Sequence, residues 1–136
     1  MKKYKIYFLL FTIFSNTLIS QNLADKKVLV VWGGWDGHKP ELFANHVENW
    51  LIKEKADYKI INGLDAYDNY DELIKYDLII QSVTMDEISK NQEENLVKAV
   101  LNGVGIAGAH GGLVDSFRKN TNYQFMIGGQ FVAHPG

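Results

Sequence analysis

Five consecutive apolar residues follow Lys27 in the run Lys27-Val28-Leu29-Val30-Val31-Trp32, which passes without any polar alternation into Gly33-Gly34. A strand with one wet face alternates in polarity, whereas an unbroken apolar run of this length belongs to a strand buried on both faces, as in a parallel sheet covered by helices. The remainder of the chain supplies the covering layers. Pro40 suits the first turn of a helix, where its missing N–H costs nothing, and Leu42, Phe43, His46, Val47, Trp50 and Leu51 follow at helical spacing, predicting one buried face. Tyr58–Ile61 reads as a second strand, 71–75 as a short helix, and 77–81, with its Leu78-Ile79-Ile80 centre, as a third strand. Ser89 with Gln92 three residues on forms a capping box, and Leu96, Val97, Val100 and Leu101 give the helix after it an apolar stripe. Asn102-Gly103 ends that helix, and Val104–Ala109 is a fourth strand. Strand and helix alternate, which predicts an α/β domain with a mainly parallel sheet and right-handed crossovers. Tyr123–Ile127 reads as a helical turn closed by Gly128-Gly129, and residues 130–136 as a loop.

The N-terminus has a different character. Lys2, Lys3 and Lys5 precede the apolar run Ile6–Ile13, and Ser15-Asn16-Thr17 and Ser20 follow it. A basic start, an apolar stretch of about ten residues and a small residue before the cut are the parts of a secretory signal peptide. A membrane anchor needs about 20 uninterrupted apolar residues. We therefore expect residues 1–20 to be a cleaved signal, with the mature chain periplasmic or secreted by a bacterium and without a stable membrane span. Removing that segment leaves 11 basic against 16 acidic residues, so the near-neutral whole chain conceals an acidic body. No Lys or Arg block remains to bind nucleic acid. The chain contains no cysteine, which excludes thiol catalysis and zinc–thiolate sites.

In open parallel sheets, ligands bind beyond the carboxyl ends of the strands. His38 lies in the loop after the first strand, within Gly33-Gly34-Trp35-Asp36-Gly37-His38, and His110 directly follows the fourth strand in Gly108-Ala109-His110-Gly111-Gly112. The second segment has the form of a strained strand-to-helix turn, with histidine where a nucleophilic serine or cysteine would stand. An imidazole there suits metal ligation, general-base catalysis or hydrogen bonding to a polar ligand. The plain alternative is a tight turn in which His110 only packs or hydrogen-bonds locally. His134 lies in another glycine-flanked loop, and His46 shares the predicted apolar face of the first helix, as a packed or capping residue. His38, His110 and His134, with Asp36 or Asp115 as carboxylate helpers, would form an open, nitrogen-rich site for a divalent, zinc-like metal. Gly103-Val104-Gly105-Ile106-Ala107-Gly108 spells a dinucleotide fingerprint, but it enters a strand instead of opening a helix and is set aside.

Three segments together resemble the trehalose-utilisation, ThuA-like family: the strand into Gly33-Gly34 with Gly37-His38-Lys39-Pro40, then Gly105-Ile106-Ala107-Gly108-Ala109-His110-Gly111, then Gly128-Gly129-Gln130-Phe131-Val132-Ala133-His134-Pro135. The resemblance covers residues 27–136 and implies a flavodoxin-like, three-layer fold of the class I glutamine amidotransferase-like group, with His110 where the elbow cysteine would be. Similar domains continue beyond the His-Pro segment, so the domain is expected to be C-terminally incomplete. The implied role lies in carbohydrate metabolism, on trehalose, related disaccharides or their oxidised forms. Expected site residues are His110 as catalytic group; Gly34, Trp35, His38, Gly111 and His134 as contacts to a small carbohydrate; and His38, His110 and His134 as metal ligands. A metal-assisted hydrolase or lyase, and not a glutamine amidotransferase, is the leading expectation. A non-catalytic sugar- or partner-binding module, or an inactive fragment, is the alternative.

Overall fold

The computed structural model describes residues 22–133; the predicted signal segment and His134 lie outside the described residues. Four parallel strands, β1 (Lys27–Gly34), β2 (Asp57–Asn62), β3 (Leu78–Thr84) and β4 (Gly105–Gly108), form one sheet in the order β2-β1-β3-β4. The helices are α1 (Pro40–Glu54), α2 (Tyr70–Leu73), α3 (Lys90–Leu101), α4 (Gly111–Val114) and α5 (Thr121–Ile127). The predicted α/β class is what the chain adopts, and the strand order is that of flavodoxin-like sheets.

The apolar run of β1 explains the layering. Val28 and Val30 point to one face, where Ile80 of β3 meets Ala44 and Leu51 of α1. Leu29 and Val31 point to the other, where Ile79 and Val83 of β3 meet Leu73, Leu96, Ala99 and Tyr123 of α2, α3 and α5. Each Val, Leu or Ile side chain among them, fully buried, contributes roughly 1.5–3 kcal/mol, and each alanine well under half of that. Two helical faces differ from expectation. In α1, Ala44 and Leu51 are buried while Leu42 and Trp50 are largely exposed and His46 is exposed, so His46 is not a packed residue. In α3, Ala99 takes the buried place and Leu101 is 78% exposed. In each helix an alanine shares the buried face with a leucine, Ala44 with Leu51 and Ala99 with Leu96, while Leu42, Trp50 and Leu101 fall outside it.

The predicted punctuation holds. Pro40 opens α1, Ser89 and Gln92 close a reciprocal capping box at α3, and Gly128 (φ +74°) ends α5 in the left-handed region. At the opposite end of the sheet from the site, the Asp77 carboxylate accepts from the Lys27 backbone N–H (2.8 Å) and from Lys26 Nζ (3.0 Å), joining the starts of β1 and β3. The Lys27 N–H, and then the Lys26 ammonium, hold the Asp77 carboxyl below its ordinary range. The folded state therefore binds this proton less tightly than the unfolded chain. Its contribution is complete above the unfolded carboxylate range and is lost as pH falls through the lower folded value. Asp77→Asn should lower stability at neutral pH by no more than about 1 kcal/mol, because solvent screens the pair. Urea titrations from pH 7 down to pH 3 should show the wild type and the variant converging on the acid side.

Candidate functional site

β1 lies between β2 and β3, so the chain leaves β1 on one side and β3 on the other. The crevice outside their carboxyl ends is the switch point where such sheets take ligands. Gly34 and Thr84 are register partners at that edge, and Trp35 N–H donates to the Thr84 carbonyl (2.8 Å). The chain then makes a 3-10 turn, Asp36–His38, and Lys39, with φ 50° and ψ 53°, redirects it into α1.

This turn places His38, half-buried, with Nδ1 3.0 Å from Thr84 Oγ1. If Nδ1 carries the proton it donates to Thr84 and leaves Nε2 a lone pair; if Thr84 donates, Nε2–H becomes a donor. Nε2 makes no hydrogen bond to the described residues, so in either tautomer it is the ring nitrogen left to meet another group. The Trp35 indole packs edge-on against the His38 ring at 4.9 Å between centroids, while remaining 50% exposed. The sequence pattern ends the third strand at Gln81 and so leaves Thr84 out of the site. The continuing β-branched Val83-Thr84 was the available signal.

The second imidazole arrives from β4. His110 has φ 50° and ψ −135°, outside the left-handed helical well, and caps α4 through its carbonyl, which accepts from Leu113 and Val114 N–H. A non-glycine residue there stores roughly 1–3 kcal/mol of strain, as the expected strand-to-helix elbow implies. The His110 and His38 rings meet at 5.1 Å, inclined by 70°. Gly111 makes this approach possible: a Cβ there would lie 2.5 Å from His38 Cε1.

The match of a family model described as trehalose utilisation (ThuA) to residues 27–136 decides the family. The chain belongs to the ThuA family. A ThuA-like protein from Bacteroides uniformis, known from its crystal structure, is similar with a TM-score of 0.60 and 20% identity, covering 77% of this chain and 43% of that one. The likeness is one of fold, and this chain spans under half the length of that relative. No curated protein matches the chain.

Within this ThuA chain the sheet brings His38, His110, Gly34, Trp35 and Gly111 to one crevice. Among the described residues, neither predicted carboxylate helper is hydrogen-bonded to an imidazole. Asp115 is buried, and Arg118 binds its two oxygens through Nε and through Nη2, the latter at 2.8 Å; Asp36 is exposed in the 3-10 turn. Among the described residues no group of three His, Asp or Glu is placed to hold a metal. Two imidazoles alone fall short of the three protein ligands of an open zinc site. A hollow of about 510 Å³ opens beside the crevice, past Met85. It holds no histidine, and its two cations are occupied, Arg118 by Asp115 and Lys119 by Glu87. No helix among the described residues is long and apolar enough to cross a membrane.

Proposed function

We propose that the β1/β3 crevice of this ThuA protein receives a small carbohydrate, a disaccharide of the trehalose type or its oxidised form, and that the two imidazoles act on it together. The observation that carries this reading is the meeting of His38 and His110, delivered by separate loops, one of them in a strained backbone conformation. Strain of that kind persists where the surrounding structure imposes it and is concentrated at working sites. His110 serves as general base toward a sugar hydroxyl, an acidic C–H beside a carbonyl, or a water. His38, fixed by Thr84, offers Nε2 to the oxygen on which charge develops. The reaction class is hydrolysis or elimination on a sugar derivative.

The donor set described above falls one ligand short, so no step is routed through a metal; His134 is the third ligand this proposal would assign if zinc binds. Export by the basic and apolar N-terminal segment belongs to the same reading. The half-exposed Trp35 beside His38 favours a second reading, a sugar-binding module without turnover, since indole faces stack on sugar rings. Chemical-shift mapping with trehalose and an oxidised disaccharide, each with and without zinc, tests the proposal. Shifts should centre on Trp35, His38, Thr84 and residues 108–112. Shifts confined to other faces, or none with either sugar, would overturn it.

A further inference from the structure

Gln81 is a fully buried amide in the central strand β3, a position that a parallel sheet normally fills with an aliphatic residue. Its Oε1 accepts from the Tyr67 hydroxyl (2.7 Å), and its Nε2 donates to Ser116 Oγ (2.8 Å) and to the Tyr123 hydroxyl (2.7 Å). These two hydroxyls donate onward to the carbonyls of the elbow helix: Tyr123 to Leu113 (2.8 Å), and Ser116 to Leu113 (3.0 Å) or Gly112 (3.1 Å). Burial keeps both phenols protonated, pushing Tyr123 up to about 12 and Tyr67 well above its ordinary value, so they remain neutral donors. No buried side-chain polar atom among the described residues lacks a partner. The network runs from the sheet centre to the two residues that follow His110-Gly111. Close backbone contact reinforces it, since a Cβ on Gly112 would lie 2.9 Å from Ser82 Cα and one on Gly108 2.5 Å from the Gln81 carbonyl oxygen.

We infer that Gln81, with Tyr123 and Ser116, is a positioning element that clamps α4 to the sheet and thereby holds His110 in its strained conformation opposite His38. An apolar side chain at 81 would fill the same space but remove the amide that ties the Tyr123 and Ser116 hydroxyls to the sheet; those hydroxyls would still donate to the α4 carbonyls, yet α4 would be freer to shift with them and relax the His110 dihedrals. The inference takes its functional meaning from the proposed sugar site, but it is tested without a sugar. The reporter is the gap in melting temperature between His110→Gly and His110→Ala, which measures how firmly the positive φ is imposed. In a Gln81→Met background that gap should shrink to roughly half or less of its wild-type size, which is the non-additivity expected of coupled sites. The long-range ¹H–¹⁵N imidazole signals of His110 should move while those of exposed His46 stay. If Gln81→Met does not fold, Tyr123→Phe, which removes one bond to the amide and one to α4, supports the same two readings. An undiminished gap with unmoved His110 signals overturns the inference and leaves the sugar proposal intact. Failure of sugar binding with a diminished gap overturns the sugar proposal alone.

Discussion

Replacing Gly34 by alanine is expected to cost about 4 kcal/mol, the sum of backbone strain and forced overpacking. Gly34 has φ +74°, and an added Cβ would lie 2.1 Å from the Thr84 carbonyl oxygen and within 3 Å of Thr84 N and C. These are backbone atoms, so no rotamer change relieves the contact; the ends of β1 and β3 must separate. Separation breaks the bond from Trp35 N–H to Thr84 and carries Thr84 Oγ1 away from His38. A loss of this size is a large share of the 5–15 kcal/mol available to a domain, and urea denaturation should find the variant marginal or unfolded. Gly63 provides the control: its φ is +95° but a Cβ there meets nothing within 4 Å, so Gly63→Ala bears the strain without the clash. A Gly34→Ala protein as stable as Gly63→Ala would contradict the described register of β1 and β3.

His110→Gly is expected to exceed His110→Ala in stability by about 1–2 kcal/mol, even though glycine ordinarily costs about 0.5–1 kcal/mol of extra folding entropy. The reason is the φ of 50° with ψ of −135°, which alanine must bear and glycine need not. Helix caps in general favour glycine over alanine. The same pair of substitutions at Ser89, an N-cap with φ −69°, supplies the baseline. The Gly–Ala gap at 110 should exceed that at 89 by about 1 kcal/mol or more. Equal gaps would mean that the elbow stores no strain. A surplus at 110 marks a position kept as histidine at a cost to the fold, which is the pattern of a residue retained for function.

The sequence carried the fold well because parallel β/α units write their layers as apolar runs and their ends as glycine, proline and capping residues. The β1 run, the Ser89–Gln92 box and Gly128 all did what their chemistry dictates. It was less informative where one helical turn contains more apolar residues than the sheet can cover: Leu42, Trp50 and Leu101 have the right spacing, yet Ala44 and Ala99 have the right size. Within the site, His38 and His110 were legible because glycine-rich turns beyond strand ends mark where backbone bends and side chains are lifted. Thr84 and Gln81 were not, because their roles depend on partners 46 residues away in one case and 14, 35 and 42 in the other. No local pattern encodes contacts at that separation. Asp115 shows the converse, since a carboxylate near a histidine in sequence is paired instead with Arg118, three residues on in the turn that follows α4.

Calorimetric titration of the wild type and of His38→Ala, His110→Ala and His46→Ala with trehalose and with an oxidised disaccharide tests the central claim most directly. We expect saturable binding of at least one sugar by the wild type and by His46→Ala, weakened about tenfold or more in His38→Ala and His110→Ala, the scale of one lost polar contact to a buried partner. Binding unchanged in both of those variants would contradict a site built on the paired imidazoles.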